Sequence, residues 1–299
     1  MIDFTDLPIR NKTYAGANGS KISVIYNGEQ YMLKFPVPPL RNKAKIYTNG
    51  CASEYIGCHI FRSLGIPAQE TLLGTYTKNG KEMIAVACKD FTSSGVVLQD
   101  FASLKNTIID SEQNGYSTEL EDILWTIEEQ SAINPHELKN WFWDMFIVDA
   151  FIGNWNRHNG NWGFLYDVDA DTVSIAPVYD CGSCLYPRAN EEIMERTLED
   201  SRERNLRIFS IPLSGIKQHN QKINYFNFLS SLKYKDCNKA LKRIVPRIDM
   251  KKINALIDEI PCINDLQKTF YKTMLHARKE NILDYSLKLL LDREQEAKP

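Results

Sequence analysis

Charge of one sign is the first thing this chain has little of. It carries 36 Lys and Arg against 38 Asp and Glu, a formal net charge of −2. Nothing in that balance points to nucleic acid or an anionic membrane as a partner. No stretch approaches ~18 uncharged apolar residues, which excludes a transmembrane helix. The first residues, Met1-Ile2-Asp3-Phe4-Thr5-Asp6, hold two acids and no apolar h-region, so no secretory signal is expected. Seven cysteines, an odd count, argue against a disulfide scaffold and for a reducing compartment, so composition places the chain in the cytoplasm. Cys181-x-x-Cys184 has metal-ligand spacing, but no second Cys/His pair matches it, and buried thiols are expected there rather than zinc. There is no internal repeat and no low-complexity tract.

What is present is ordinary for a globular protein: 299 residues, 43% hydrophobic and 25% charged, enough for one large domain or two lobes with a shared core. The first ~90 residues read mainly as strand. Ile22–Tyr26 and Gln30–Phe35 flank Asn27-Gly28, a strong hairpin signal, and Pro36, Pro38 and Pro39 end the second strand. Residues 52–64 space Ile56, Ile60, Phe61 and Leu64 as a helix does, with Gly65 and Pro67 as the stop. Glu82–Ala87 is a further strand. After Phe91 the periodicity is helical, most clearly at 135–152, with Asn134 as N-cap, Pro135 in the first turn and Gly153 at the C-terminal stop. Two short strands are expected within 164–179, and several helices from about 220, for example 265–291. This is an α+β pattern: a strand-rich lobe over 1–90 and a helical lobe over 91–299.

Candidate functional residues fall in a definite order. Tyr14-Ala15-Gly16-Ala17-Asn18-Gly19-Ser20-Lys21 precedes a strand, and its glycines let backbone N–H groups approach a phosphate. Lys34 lies in an otherwise apolar strand, on the face of Met32, where it needs a partner or an anionic ligand. Glu54, on the 52–64 helix, is the candidate partner. The polar loop Gly153-Asn154-Trp155-Asn156-Arg157-His158-Asn159-Gly160-Asn161 sits between apolar stretches. Asn161 follows position 156 by five residues, the separation of the base and the metal-binding Asn in the protein-kinase catalytic loop. Asp180-Cys181-Gly182 follows a strand and offers a carboxylate to a metal beside phosphates.

Taken with Tyr31-Met32-Leu33-Lys34-Phe35-Pro36, Ser53-Glu54-Tyr55-Ile56-Gly57, Phe151–Leu165 and Tyr179-Asp180-Cys181-Gly182, the chain resembles the HipA-like Ser/Thr protein kinases, in their small stand-alone form. The resemblance covers nearly the whole chain. It implies a bilobal protein-kinase-like fold that uses ATP and Mg²⁺ to phosphorylate hydroxyls of a protein substrate, often its own. It also implies that Gly16, Ala17, Asn18, Gly19, Ser20, Lys21, Lys34, Glu54 and His158 serve the nucleotide. Ala87, Cys88 and Lys89 lead into a hinge whose backbone meets adenine, and Asn161 and Asp180 hold the metal. An antitoxin or a host protein as partner, and export to a host cell, also follow from the resemblance alone.

One position departs from the pattern. The family's loop is close to G-N-x-D-R-H, with Asp as the base, and this chain has Asn156. An amide has no usable basicity near neutral pH, so it can orient an acceptor hydroxyl but not take its proton. Losing such a group typically costs ~10²–10⁴-fold in rate. A weakened kinase and an ATP-binding pseudokinase acting as scaffold or regulator both fit, as do a natural and an introduced Asn. Residues 186–210 occupy the place of an activation segment. They read as a solvated helix with pairs such as Glu192–Arg196, or as a segment in which Thr197 or Ser201 is phosphorylated and held by arginines.

Overall fold

The computed structural model describes residues 1–14, 21–36, 49–109 and 114–297. The expected phosphate-loop residues Gly16, Ala17, Asn18, Gly19 and Ser20 lie outside the described residues; Tyr14 and Lys21, at the two ends, are described.

The N-terminal part is a sheet. Its strands are β1 (Ile2–Asp3), β2 (Ile9–Arg10), β3 (Lys21–Tyr26) and β4 (Glu29–Lys34), then, after helix α1 (Gly50–Ser63), β5 (Thr71–Lys78) and β6 (Lys81–Lys89). They lie in the order β1-β5-β6-β4-β3-β2. Asn27 and Gly28 have φ of 50° and 81°. Positive φ at both central residues is what a two-residue hairpin turn matching strand twist requires. In β4, Tyr31 and Leu33 are buried with Phe4, Val24, Ala85 and Ala87 on one face. Met32 packs on the other against Cys51, Val86 and Cys88. The two-residue period therefore puts Lys34 on the Met32 face, toward α1.

β5 lies in the part read as mainly strand but was not singled out from the sequence, and Thr71-Leu72-Leu73-Gly74-Thr75-Tyr76 carries a glycine inside it. Gly74 marks a close approach: a Cβ there would stand 2.2 Å from the Ile2 carbonyl oxygen and 2.4 Å from the Phe4 ring.

The chain then forms β7 (Val96–Asp100), α2 (Phe101–Ile108), α3 (Leu120–Glu129), α4 (Pro135–Ile152), β8 (Gly163–Asp167) and β9 (Thr172–Ile175). β7 was not expected: after Phe91 the sequence reads as helical up to the two short strands within 164–179. β7 pairs with β8, and β8 with β9, in a three-stranded sheet whose partners are far apart in sequence. In α4 the Asn134 side chain accepts from the N–H groups of His136 and Glu137, and Gly153 takes φ 66° at the C-terminus. Eleven of its residues, among them Phe142, Trp143, Phe146 and Phe151, are buried, as expected of a helix apolar nearly all round.

Next come α5 (Glu191–Glu199) and α6 (Ser201–Asn205), which runs into a π-helical turn at Leu206–Ser210. The ion pairs here are Arg196–Glu203 at 3.9 Å and Arg207–Glu203 at 2.6 Å, not the expected Glu192–Arg196. Thr197 is fully buried and its hydroxyl donates to the Ile193 carbonyl, which takes it out of reach of a phosphoryl donor; Ser201 is exposed. A short hairpin, β10 (Lys217–Gln218) and β11 (Gln221–Lys222), precedes α7 (Tyr225–Ser231), α8 (Lys235–Ile244), α9 (Met250–Asp258), α10 (Asp265–Arg278) and α11 (Tyr285–Glu296). α10 and α11 are joined by a π-helical turn at Lys279–Asp284, so the expected helix 265–291 exists as a nearly continuous rod.

One large apolar cluster joins α1, through Ile56, Ile60 and Phe61, to Phe142, Phe146 and Phe151 of α4 and Phe270 and Leu275 of α10. By packing, α1 belongs to the helical core as much as to the sheet. All seven cysteines are free thiols, and among the described residues no helix is long and apolar enough to cross a membrane.

Candidate active site

The site forms where the end of β4, the second turn of α1 and the segment after β9 meet. The Lys34 ammonium lies 3.0 Å from Glu54 Oε2 and 3.0 Å from Asp180 Oδ1. Glu54, whose side chain is 2% exposed, uses Oε1 to accept from the Cys181 N–H at 3.0 Å. The Asp-x-Gly segment is thus tied to α1 by backbone and side chain together. Two glycines permit the approach. A Cβ on Gly57 would stand 2.7 Å from Cys181 Cβ, and one on Gly182 would stand 3.0 Å from Glu54 Oε2. Both belong to motifs singled out in the sequence, and the contact between those motifs gives the reason for their small residues.

Burial alone would push the Lys34 ammonium down, but Asp180 and Glu54 outweigh it and hold it well above the usual lysine range. Chiefly through the Lys34 charge, the Asp180 carboxyl is held down at about 2 despite the opposing effect of burial. Asp180 adopts φ 56°, a left-handed conformation that Asp tolerates better than most residues, and its side chain remains 44% exposed.

The loop after α4 is held from beneath by residues the sequence reading did not single out. Arg157 is buried and paired with buried Asp149, its Nε 2.9 Å from Oδ2 and its Nη2 3.2 Å from Oδ1. Nη1 of the same arginine donates to the carbonyls of Asn161, at 2.8 Å, and Tyr179, at 2.5 Å. Asn154 Nδ2 also donates to Asp149, and its carbonyl accepts from the Tyr225 hydroxyl. Arg278 donates to the Ala150 carbonyl at the end of α4. One guanidinium therefore joins α4, the polar loop and the residue before Asp180. The sequence held a trace of this: Asp149 is an acid inside an otherwise apolar helical run, and such a group must be paired.

On this frame the Asn161 side chain meets the Asn156 backbone. Asn161 Nδ2 donates to the Asn156 carbonyl at 3.0 Å, which leaves its Oδ1 as an acceptor of the kind Mg²⁺ takes. The Asn156 carbonyl also accepts from the His158 N–H, and the Asn156 N–H donates to Asn154 Oδ1. The Asn156 side chain itself makes no hydrogen bond among the described residues. His158 Nδ1 lies 3.1 Å from the Gly160 N–H, and burial lowers the imidazole below its usual range. Lys21 stands directly across from Lys34 in the β3–β4 register, and its ammonium is lowered first by burial and then by Lys34.

Ala87 and Cys88 lie within the sheet, paired to Leu33 and Met32 on one side and Leu72 and Thr71 on the other. The N–H groups of Lys89 and Asp90 donate to the Glu70 and Gln30 carbonyls, so sheet-like pairing extends into the expected hinge. None of these site residues lines the cavity of about 520 Å³ on the helical surface, which is bounded by Glu192, Glu195, Arg196, Glu199, Asp200 and Ser201.

A lysine bridging a helix glutamate to an Asp-x-Gly carboxylate, beside a loop that offers Asn161, defines a kinase-like site on a mixed α+β, bilobal fold. The chain matches the family described as HipA-like C-terminal domain over residues 10–260, and it belongs to that family. Among its relatives is the Helicobacter pylori (strain J99) serine/threonine-protein kinase CtkA, 51% identical over 285 residues, which are 95% of this chain and 86% of that protein. The crystal structure of a Helicobacter pylori proinflammatory kinase, CtkA, superposes with a TM-score of 0.92 at 50% identity, covering 98% of each chain. A chain from the Shewanella oneidensis MR-1 complex of HipA, HipB and operator DNA superposes with a TM-score of 0.59 at 15% identity, covering 94% of this chain and 68% of that one. At that identity the likeness shows a common fold alone.

Proposed function

We propose that this chain is a Ser/Thr protein kinase using ATP and Mg²⁺, with phosphotransfer weakened because Asn156 stands where a carboxylate base belongs. The observation that carries the reading is Lys34, held between Glu54 and Asp180 at 3.0 Å from each. The strand-rich part to about residue 90 would carry the phosphate-facing residues, and the helical remainder the loop and the metal carboxylate.

The donor set fits the cofactor. Asn161 Oδ1 and the Asp180 carboxylate are hard oxygen ligands, and no cluster of three or more His, Cys, Asp or Glu that would make an all-protein metal cage exists among the described residues. Mg²⁺ is characteristically held by one or two carboxylates together with substrate phosphates. When bound, Mg-ATP supplies the transferable phosphoryl group and the cation that neutralises its developing charge.

The chain's own residues do the rest. Lys34 offers a fixed positive charge to phosphate oxygens, and Glu54 holds it in place. Arg157 fixes the distance between the loop and Asp180. Asn156 can accept a hydrogen bond from the acceptor hydroxyl through its amide oxygen but cannot keep the proton. Positioning and charge stabilisation carry most of phosphoryl transfer, which leaves room for slow turnover. The same amide favours a second reading, an ATP-binding pseudokinase that acts as a scaffold.

Radiolabelled phosphate transfer, run on the chain and on Asn156→Asp and Asp180→Ala, separates the two. Asn156→Asp is expected to raise the rate by at least about tenfold, the low side of what a general base contributes, and Asp180→Ala to abolish transfer. Equal rates for Asn and Asp would overturn the assignment of position 156. Absence of thermal stabilisation by Mg-ATP would overturn the nucleotide reading itself.

A further inference from the structure

Trp155, directly before Asn156, carries cations over its ring: the Arg188 guanidinium at 4.8 Å from the ring centroid and the Lys222 ammonium at 5.7 Å. Both distances are within reach of a cation–π attraction. Lys222 comes from β11 and stands directly across from Lys217 of β10. Like charges facing each other across a two-stranded ribbon oppose its pairing. Among the described residues neither lysine forms an ion pair. The carboxylates nearby are engaged elsewhere: Glu119 by the Asn220 N–H at 2.8 Å, and Glu121 by Gln218 at 3.2 Å and the Tyr234 hydroxyl at 3.0 Å. Burial, and then the Lys217 charge, lower the Lys222 ammonium from its usual range.

The ribbon is fixed against the catalytic loop. A Cβ on Gly215 would stand 2.7 Å from the Arg157 nitrogen and 2.8 Å from its carbonyl oxygen, so the two backbones run in contact. The Thr118 hydroxyl donates to the Gly215 carbonyl, the Lys217 N–H to the Thr118 carbonyl, and the Ser214 N–H to the Ile223 carbonyl. The fold therefore spends stability on holding a pair of like charges, with a guanidinium and an indole, beside the acceptor position. The nucleotide residues Lys34, Asn161 and Asp180 form a separate group, so a ligand at Trp155 belongs to the acceptor side.

We propose that Arg188 and Lys222, over the Trp155 ring, together with Lys217 across the ribbon from Lys222, bind an anionic side chain of the protein substrate, a carboxylate or a phosphorylated residue close in sequence to the acceptor Ser or Thr. This rests on the kinase reading of Asn156 as the acceptor position. A substrate strand advances about 3.3 Å per residue, so the anionic residue falls within a few positions of the acceptor hydroxyl.

The test uses the full chain with Mg-ADP and fluorescein-labelled Ala/Gln peptides holding one central serine, flanked by glutamate, phosphoserine or lysine, read by anisotropy at physiological salt. Peptides with either anion are expected to bind about tenfold more tightly than the lysine peptide, the scale of one charge-assisted contact. Tight binding of the phosphoserine peptide alone assigns the phosphoryl form, and binding of both admits the carboxylate. The preference should invert in Lys217→Glu/Lys222→Glu and vanish in Lys217→Gln/Lys222→Gln, the second keeping the ribbon free of new charge. Equal binding of all three peptides, or a preference that survives both double variants, overturns the proposal. Anion preference without any Mg-ATP stabilisation leaves an anion site at Trp155 but overturns the kinase reading and, with it, the assignment of that site to a phosphoacceptor substrate.

Discussion

Two cationic side chains hold the two halves of the site, and they are used in opposite ways. Arg157 is buried, and its three nitrogens are committed to Asp149, Asn161, Tyr179 and the Cys181 sulfur. Lys34 is tethered at two points, and one of them, Asp180, is 44% exposed. The first arrangement is a staple that a ligand has no means to enter. The second can exchange partners, since an ammonium has three donors and a half-exposed carboxylate can turn to a metal. On the proposed kinase reading, in which the site binds and releases a charged ligand, it has one rigid side and one exchangeable side.

The largest effect that would break this contrast lies on the rigid side. Asp149→Ala strands a buried guanidinium and is expected to cost about 3–5 kcal/mol in urea unfolding; a loss near that of a surface change would mean Arg157 is no staple. On the exchangeable side, Asp180→Asn should keep the fold but lose the Mg-ATP stabilisation, about 2.7 kcal/mol at ATP a hundredfold above its Kd. A full thermal shift in that variant would remove Asp180 from the metal site.

Gly57→Ala presses a methyl group against Cys181, 2.7 Å away, and should destabilise by about 1–3 kcal/mol while weakening nucleotide binding. Unchanged unfolding would show that α1 has room to shift.

The smallest effect is a pH dependence. The Asp180 carboxyl lies at about 2 in the folded chain against about 3.9 when unfolded. Its contribution is therefore complete above the unfolded value and is lost as pH falls from about 4 toward 2. Exposure keeps it small. Over that window the chain should lose slightly more stability than Asp180→Asn, and identical curves would contradict the Lys34 pairing.

What could be read from sequence is what neighbours in sequence determine. Asn27-Gly28 and the alternation in β4 set the hairpin and the face of Lys34, and Asn134, Pro135 and Gly153 bounded α4. β5 was not singled out and β7 escaped because each depends on partners distant in the chain: Gly74 has no evident role until Phe4 lies over it, and Val96–Asp100 is too short to pattern without β8. Lys34, Glu54, Asn161 and Asp180 carried motif spacing and could be named. Asp149 and Arg157 could not be paired, since a buried acid announces that it needs a partner without saying which. The phosphate-loop glycines, Gly16 and Gly19, remain a reading of sequence, lying outside the described residues.

Because Ile56, Ile60 and Phe61 of α1 are embedded in the same apolar cluster as α4 and α10, while Cys51 packs on the sheet, the Met32 face of the sheet would lose its cover if the helices melted, leaving the sheet only the small cluster around Phe4, Tyr31 and Leu33. Unfolding should accordingly be a single cooperative event for both halves, with the amide protons of α1 exchanging only at the rate of whole-molecule opening.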